Sequence, residues 1–126
     1  MSTKTILIVD DSAAMRAMLI SVVESVGDFH IIEASSGFDA LKFLPRGHID
    51  LILTDINMPD INGLELISYL RKNPNYEAIP VFIISSEGSA KDIAKGKQLG
   101  ANEYIIKPFS TSELQSLLNQ YLCKSE

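Results

Sequence analysis

The strongest constraint on the fold is a regular alternation of short apolar runs with longer segments of helical spacing. Five runs have the length and composition of strands, at residues 5–9, 29–33, 51–54, 81–84 and 104–106. The letters ILIV, LIL and VFII within these runs are apolar at consecutive positions, which is typical of parallel strands covered on both faces. The sequence therefore predicts a parallel sheet buried between two layers.

Five helices are predicted to separate and follow these strands. The first ends before Gly27 and has apolar residues at helical spacing, at Met15, Met18, Leu19, Val22, Val23 and Val26. The next three are predicted over residues 36–44 (stopped by Pro45), 63–72 and 89–99. The last follows a capping box at residues 110–113 and has an apolar stripe at Leu114, Leu117, Leu118, Tyr121 and Leu122. This order predicts an α/β fold of right-handed βαβ units with helices on both faces of one sheet.

Polar residues follow four of the five predicted strands. They are Asp10 and Asp11 after the first, Asp55 and Asn57 after the third, Ser85 and Ser86 after the fourth, and Lys107, which precedes Pro108, after the fifth. Because parallel strands all end at one edge of the sheet, these residues are expected to meet there, where ligands bind in open α/β sheets.

Each of these residues also has an ordinary structural interpretation. Asp11 could cap the next helix, Ser85 and Ser86 could be turn residues, and Lys107 could be a surface lysine. Taken together they favour chemistry, because three carboxylates at one edge repel each other unless a cation joins them. Oxygen ligands without cysteine or histidine suit Mg²⁺, with Mn²⁺ as the alternative. A carboxylate that lies beside such a cation, a lysine and a hydroxyl is predicted to accept a phosphoryl group.

Composition limits the other functional classes. The chain has 126 residues, 46% of them hydrophobic, which predicts a single domain over residues 1–126. A net charge of −5 with scattered lysines argues against a nucleic-acid partner. The absence of a signal peptide or apolar span in the sequence, with a single cysteine, Cys123, predicts a cytoplasmic protein without a membrane partner. Cys123 is expected to be inert, and His30 and His48 are expected to have structural or surface roles.

Four motifs in fixed order resemble those of a known family. They are ILIVDDS, LTDINMPDINGLE, IPVFIISSE and GANEYIIKPF. With them, residues 5–122 resemble the receiver domain of bacterial two-component response regulators, most closely the stand-alone chemotaxis (CheY-like) type. The resemblance implies a flavodoxin-like doubly wound (βα)5 fold, with strand order 2-1-3-4-5.

The resemblance also implies a role for each residue at the sheet edge. Asp55 is expected to be the phosphoacceptor, with Asp11 and Asp55 contacting Mg²⁺ directly and Asp10 acting mainly through water. Asn57 is expected to give Mg²⁺ its backbone carbonyl, and Lys107 to contact the phosphoryl group. The bond from Lys107 to Pro108 is expected to be cis.

The resemblance further implies switch and tuning positions. Ser85 lies at the position of the switch hydroxyl, and Tyr104 at the position of the switch aromatic, although Tyr104 also fits a half-exposed strand residue. Asn57 and Glu87 lie at positions that tune the loss of the phosphate. Ser86 departs from the commonest residue, alanine, and could crowd the phosphoryl site.

The resulting expectation is a phosphorylation-activated switch, not a conventional turnover enzyme. Its expected partners are a sensor histidine kinase or phosphotransfer domain and a downstream protein that binds the face of the fourth helix, fifth strand and fifth helix. The alternatives are a phosphorylation-independent interaction module, a receiver excised from a larger regulator, a phosphatase of the haloacid dehalogenase type with Asp10 as nucleophile, and a flavodoxin-like cofactor binder. The last two fit less well, because Asp10 and Asp11 are adjacent and DDSAA lacks a glycine-rich phosphate loop.

Overall fold

A computed structural model of the protein describes residues 3–122, so Cys123 lies outside the described residues. The strands are β1 (Thr5–Val9), β2 (His30–Ala34), β3 (Leu51–Thr54), β4 (Val81–Ser85) and β5 (Glu103–Ile106). The helices are α1 (Ala13–Val26), α2 (Gly37–Phe43), α3 (Gly63–Lys72), α4 (Ala90–Leu99) and α5 (Thr111–Leu122). None of the helices between residues 3 and 122 has the length and apolar content that crossing a membrane requires.

The five strands form one parallel sheet in the order β2-β1-β3-β4-β5. The predicted fold and strand order are therefore confirmed. Successive side chains of a strand point to opposite faces, so Leu7 and Val9 pack in one core cluster with α2 and α3. Ile6 and Ile8 pack in the other, with α1 and α5. Two covered faces are the physical reason for the uninterrupted apolar runs in the sequence.

Element boundaries differ from the predicted ones by small amounts. Strand β2 is shifted by one residue, β4 extends to Ser85, and β5 begins at Glu103. The α-helical part of α2 ends at Phe43, and Leu44–Arg46 continue as a 3-10 turn with Pro45 inside it. Pro45 therefore does not stop the chain from winding further, because its fixed φ fits the first turn of a helical segment.

One residue of the apolar spacing predicted for α1 lies outside the core. Leu19, Val22 and Val23 are buried as the apolar spacing predicts, but Met18 is 52% exposed. At 3.6 residues per turn, Met18 lies about a quarter of a turn from the centre of the buried stripe. Met18 therefore belongs to the predicted apolar spacing but lies outside the core.

Capping bonds fix where two helices begin. At α5 the structure shows one half of the predicted capping box, a 3.3 Å bond from the Glu113 N–H to Ser110 Oγ. A complete capping box lies at α3, where the side chains of Asn62 and Glu65 each accept the other's backbone N–H at 2.9 Å. The sequence reading had not identified this box, which anchors the end of the loop between β3 and α3.

Gly63 allows a close approach between the start of α3 and the end of β3. A Cβ atom at residue 63 would lie 2.1 Å from the Asp55 carbonyl oxygen.

We therefore expect Gly63→Ala to lower the free energy of unfolding by about 1–3 kcal/mol, the usual cost of overpacking. Urea unfolding followed by circular dichroism measures this change. Gly47→Ala is the control, because a Cβ there meets nothing within 4 Å, and it should change stability by less than about 0.5 kcal/mol. Equal stability of the two variants would contradict the close approach at Gly63.

Candidate functional site

The carboxyl ends of β1 and β3 bring three acidic side chains together. Asp10 and Asp11 follow β1, and Asp55 follows β3, its neighbour in the sheet. One carboxylate oxygen from each of the three lies within 4.8 Å of the others. Asp10 and Asp55 are 1% and 9% exposed, whereas Asp11 is open to solvent. The predicted acidic cluster is therefore present, with one member at the surface.

Lys107 brings a positive charge to this cluster. Its Nζ lies 3.1 Å from Asp10 Oδ2 and 3.3 Å from Asp55 Oδ2. The peptide bond that follows, from Lys107 to Pro108, is cis, as the resemblance implied. One ammonium faces three carboxyl groups, so acidic groups outnumber the basic group at this edge.

Every polar atom of Asp10 has a hydrogen-bond or ion-pair partner. Its Oδ1 accepts the Ser12 N–H at 2.9 Å, and its Oδ2 faces Lys107. Its backbone carbonyl accepts a 2.7 Å bond from Arg16 Nη1, and Arg16 Nε donates to Glu33 Oε1 at 2.8 Å. No local pattern in the sequence predicts this role of Arg16 and Glu33, because the two lie 17 residues apart and meet only when β2 packs beside β1.

One carboxylate oxygen of Asp55 accepts a backbone hydrogen bond, and the other faces the cluster. Its Oδ1 accepts the N–H of Ile56 at 2.7 Å, while Oδ2 is the atom near Lys107. Its backbone is fixed as well, since the buried Thr54 hydroxyl donates to the Asp55 carbonyl at 2.9 Å. Oδ2 is therefore the oxygen placed to react or to bind a cation.

Ser12, and not Asp11, caps α1. The Ser12 side chain accepts the N–H of Met15 at 3.2 Å, so the alternative role of Asp11 as a helix cap is wrong. Asp11 is consequently free of a capping bond at the edge of the cluster.

Ser85 is fully buried at the end of β4. Its hydroxyl oxygen accepts the N–H of Glu87 at 3.0 Å, so Ser85 also shapes the turn that follows the strand. The Glu87 carboxylate accepts a 3.1 Å bond from Asn57 Nδ2, which joins the loops after β3 and β4. Ser86 and Glu87 are both exposed. The three predicted tuning residues, Asn57, Ser86 and Glu87, thus lie in two loops that touch beside the cluster.

Tyr104 is half-buried on β5, and its hydroxyl donates to the Glu87 carbonyl. Its ring lies close to Gly96 of α4, where a Cβ would come within 3.0 Å of Tyr104 Cδ2 and 2.9 Å of Ile83 Cδ1. Burial raises the pKa of the Tyr104 hydroxyl above its ordinary value, and the nearby Ser85 hydroxyl acts in the opposite direction. Tyr104 therefore connects α4 with the loop that begins at Ser85.

The two histidines lie away from this site. His30 begins β2 and is paired with Thr5 at the amino end of β1. His48 is exposed, and its Nε2 lies 3.0 Å from Asp50 Oδ1 just before β3 begins. Both are at the end of the sheet opposite to the acidic cluster.

Comparison with known proteins agrees with this geometry. The family model of the response regulator receiver domain matches residues 6–119. The chain belongs to this family. The receiver domain is 33% identical to a chemotaxis protein CheY homolog of Campylobacter jejuni over 118 residues, which cover 93% of this chain and 91% of that protein.

Two solved structures support the same conclusion. Chemotaxis response regulator CheY4 of Vibrio cholerae is 29% identical with a TM-score of 0.86, and the match covers 96% of this chain and 100% of that one. The Mn²⁺-bound form of response regulator Rcp1 is 25% identical with a TM-score of 0.86, and the match covers 98% and 97% of the two chains. The receiver domain is therefore a component of two-component signalling with CheY-like relatives.

The residues present fit a hard divalent cation. The cluster of Asp10, Asp11 and Asp55 offers carboxylate oxygens within 4.8 Å of one another, and oxygen is the ligand that Mg²⁺ and Mn²⁺ prefer. The receiver domain thus has an acidic cluster able to hold a metal ion.

The excess of acidic groups has a measurable consequence. We expect Asp11→Asn to raise the free energy of unfolding in EDTA by about 1 kcal/mol, the repulsion of unit charges about 4 Å apart in water. The same variant should gain less stability than the wild type from added Mg²⁺, because a ligand that binds only the folded state stabilises it. Urea unfolding with and without Mg²⁺ measures both effects.

Asp28→Asn is the matched control for this experiment. Asp28 is exposed in the turn between α1 and β2 and its replacement removes the same charge outside the cluster. It should leave the stability in EDTA and the response to Mg²⁺ close to wild type. A loss of stability for Asp11→Asn in EDTA would contradict repulsion within the cluster.

Proposed function

We propose that this receiver domain is a switch that accepts a phosphoryl group on Asp55 from the phosphohistidine of a sensor kinase or phosphotransfer domain. The observation that carries the proposal is the placement of Asp55. Its carboxylate is nine-tenths buried, Oδ1 is occupied by a backbone N–H, and Oδ2 faces Lys107 at 3.3 Å. A single reactive oxygen beside a lysine and two further carboxyl groups is the arrangement expected of a phosphoryl acceptor.

Asp10, Asp11, Asp55 and the backbone carbonyl of Asn57 would hold Mg²⁺, with Mn²⁺ as the alternative. The oxygen-only donor set and the Mn²⁺-bound form of the related Rcp1 support this assignment. A bound divalent cation would offset the negative charge of the phosphoryl oxygens and of the cluster itself.

The chain's own groups account for the chemical step. Asp55 Oδ2 forms a bond to phosphorus while the bond from phosphorus to the donor imidazole nitrogen breaks, and that nitrogen keeps the electron pair. Lys107 pairs with a phosphoryl oxygen, because its Nζ is already beside Oδ2. The Ser85 hydroxyl, now an acceptor for the Glu87 N–H, turns to donate to another phosphoryl oxygen. The domain promotes its own phosphorylation and dephosphorylation and is not a conventional turnover enzyme.

The response to phosphorylation passes through Tyr104. Movement of Ser85 toward the phosphoryl group vacates space beside Tyr104, which swings inward to fill it. Tyr104 also touches Gly96, the one buried residue that α4 contributes between residues 3 and 122, so α4 is held by little apolar contact. Low packing suits an element that shifts between two positions. The face of α4, β5 and α5, which includes the exposed Ile106, then binds a downstream protein.

The lifetime of the phosphorylated state depends on Asn57, Ser86 and Glu87. The hydrogen bond from Asn57 to Glu87 supports this role, since it lies between the two loops beside Asp55. The match to chemotaxis proteins supports a chemotaxis kinase and target as the partners.

Phosphorylation by a small donor tests the proposal. We expect incubation with acetyl phosphate and Mg²⁺ to add one phosphoryl group to the wild type, read as intact mass. Asp55→Asn should not gain mass, because an amide oxygen is a poor nucleophile toward phosphorus. EDTA should suppress the labelling of the wild type.

Asp28→Asn is again the matched control and should label as the wild type does. Stoichiometric labelling of Asp55→Asn would contradict the assignment of the acceptor. No labelling of the wild type by acetyl phosphate or phosphoramidate, at short and long times, would favour a phosphorylation-independent interaction module. Turnover of a general phosphate ester would favour a phosphatase instead.

A further inference from the structure

The loop between β3 and α3, residues 55–62, is tied to the start of α2 by Asp60. Asp60 Oδ1 accepts the N–H of Gly37 at 2.9 Å, and Oδ2 accepts the N–H of Phe38 at 3.2 Å. These are the first two residues of α2, which lies 22 to 23 residues earlier in the chain. A carboxylate from one loop therefore satisfies N–H groups that a helix leaves unpaired in its first turn.

The start of α2 divides its N–H donors between two acceptors. The N-cap residue, Ser36, accepts the N–H of Asp39 through its side chain at 3.1 Å. Asp60 takes the two N–H groups before it. Desolvation acts to raise the pKa of the Asp60 carboxyl, but the hydrogen bonds that it accepts from its own loop and from α2 outweigh this effect. They hold the pKa below its ordinary value, so the carboxylate is the form that this contact favours.

A second, uncharged contact joins the same two segments. Gly37 is buried, and a Cβ atom there would lie 2.5 Å from the Ile61 carbonyl oxygen and 2.7 Å from Ile61 Cβ. The backbone of the loop thus lies directly on the first residue of α2. No side chain larger than hydrogen fits at residue 37 without moving the loop.

The contact between Asp60 and α2 lies close to the part of the loop that contains Asn57. The loop is fixed at its start by the 2.9 Å bond from the Gly63 N–H to the Ile56 carbonyl, and at its end by the capping box at Asn62. Asn57, whose backbone carbonyl the proposed function assigns to the cation, lies between Ile56 and the Asp60 contact. We infer that Asp60 is a positioning residue that ties the cation-binding loop to α2 and so holds the Asn57 carbonyl where a divalent cation binds.

This inference rests on the proposed function and extends it to a residue outside the acidic cluster. Asp60 does not contact the acidic cluster through any hydrogen bond or ion pair found between residues 3 and 122. It acts through the loop, as outer partners of metal ligands do when they fix the orientation of a ligand.

Asp60→Asn tests the inference through cation affinity. The variant keeps one acceptor oxygen, loses the charge, and places an amide N–H₂ among N–H donors. We expect Mg²⁺ binding, titrated by backbone amide resonances of the full chain, to weaken about three- to tenfold, at or below the low end of outer-partner effects. Hydrogen exchange at the Gly37 and Phe38 amides should speed up in the same variant.

Asp39→Asn is the matched control. Asp39 is also an acid in the first turn of α2, but its carboxylate accepts the Ser35 N–H at 3.1 Å and lies 4.0 Å from Lys42 Nζ. Its replacement removes the same charge from the same helix terminus without touching the loop. Mg²⁺ affinity should stay within about twofold of wild type if the effect of Asp60 is one of position and not of general charge.

Gly37→Ala provides an independent second variant, because it displaces the loop without changing charge. It should also weaken Mg²⁺ binding, and urea unfolding in EDTA shows whether each variant is folded at the temperature of the titration. Binding by Asp60→Asn equal to that of Asp39→Asn, with wild type binding normally, would overturn the inference and leave the proposed function intact. A wild type that does not bind Mg²⁺ would overturn both.

Discussion

The arrangement of the site and of the loops around it depends on how three carboxyl groups are accommodated at one edge of a parallel sheet. Asp10 and Asp55 are almost fully buried, and burial disfavours a charged carboxylate unless donors face it. Backbone N–H groups take one oxygen of each, and Lys107 faces the other. Asp11 remains at the surface, where water screens it. The edge is therefore stable enough to form and still carries an excess of acidic groups that a cation can relieve.

The sheet itself creates this arrangement. Parallel strands that all begin at one end must all finish at the other, so whatever follows each strand is collected at a single edge. The two covered faces leave little room for polar side chains within β1, β3 and β4, where the buried polar residues Thr54 and Ser85 stand at the carboxyl ends, and the three acidic side chains follow β1 and β3. The close approach at Gly63 then draws the loop after β3 back over the carbonyl of Asp55.

Glu87 links Ser85 and Asn57, which lie beside the acidic cluster, with Tyr104, which lies beside α4. Its N–H bonds to Ser85, its carbonyl accepts from Tyr104, and its side chain accepts from Asn57. Ser85 and Tyr104 are therefore both hydrogen-bonded to one shared residue. Because Gly96 is the one buried residue of α4 between residues 3 and 122, a movement of this helix would have few buried contacts to overcome.

The sequence by itself determined the strand and helix order, the sheet edge and the identity of the acidic residues. It could do so because these features depend on local periodicity and on the geometry shared by all parallel sheets. It did not determine that Met18 is exposed, because an apolar residue at the margin of a helical stripe can face either way and spacing alone does not resolve this. The α-helix ends before Pro45 as predicted, but the 3-10 turn that continues through Pro45 was not predicted, because a short 3-10 segment has no apolar periodicity of its own.

Only the tertiary structure decided which polar groups bond across the fold. Arg16 meets Glu33, and Asp60 meets the start of α2, through contacts that no local pattern encodes. Each pair lies 17 or more residues apart in the chain. Side-chain partners at such separations are set by the packing of whole elements. The residues of the acidic cluster were thus predictable from the strand ends, whereas the contacts that hold the neighbouring loops in position became visible only in the folded chain.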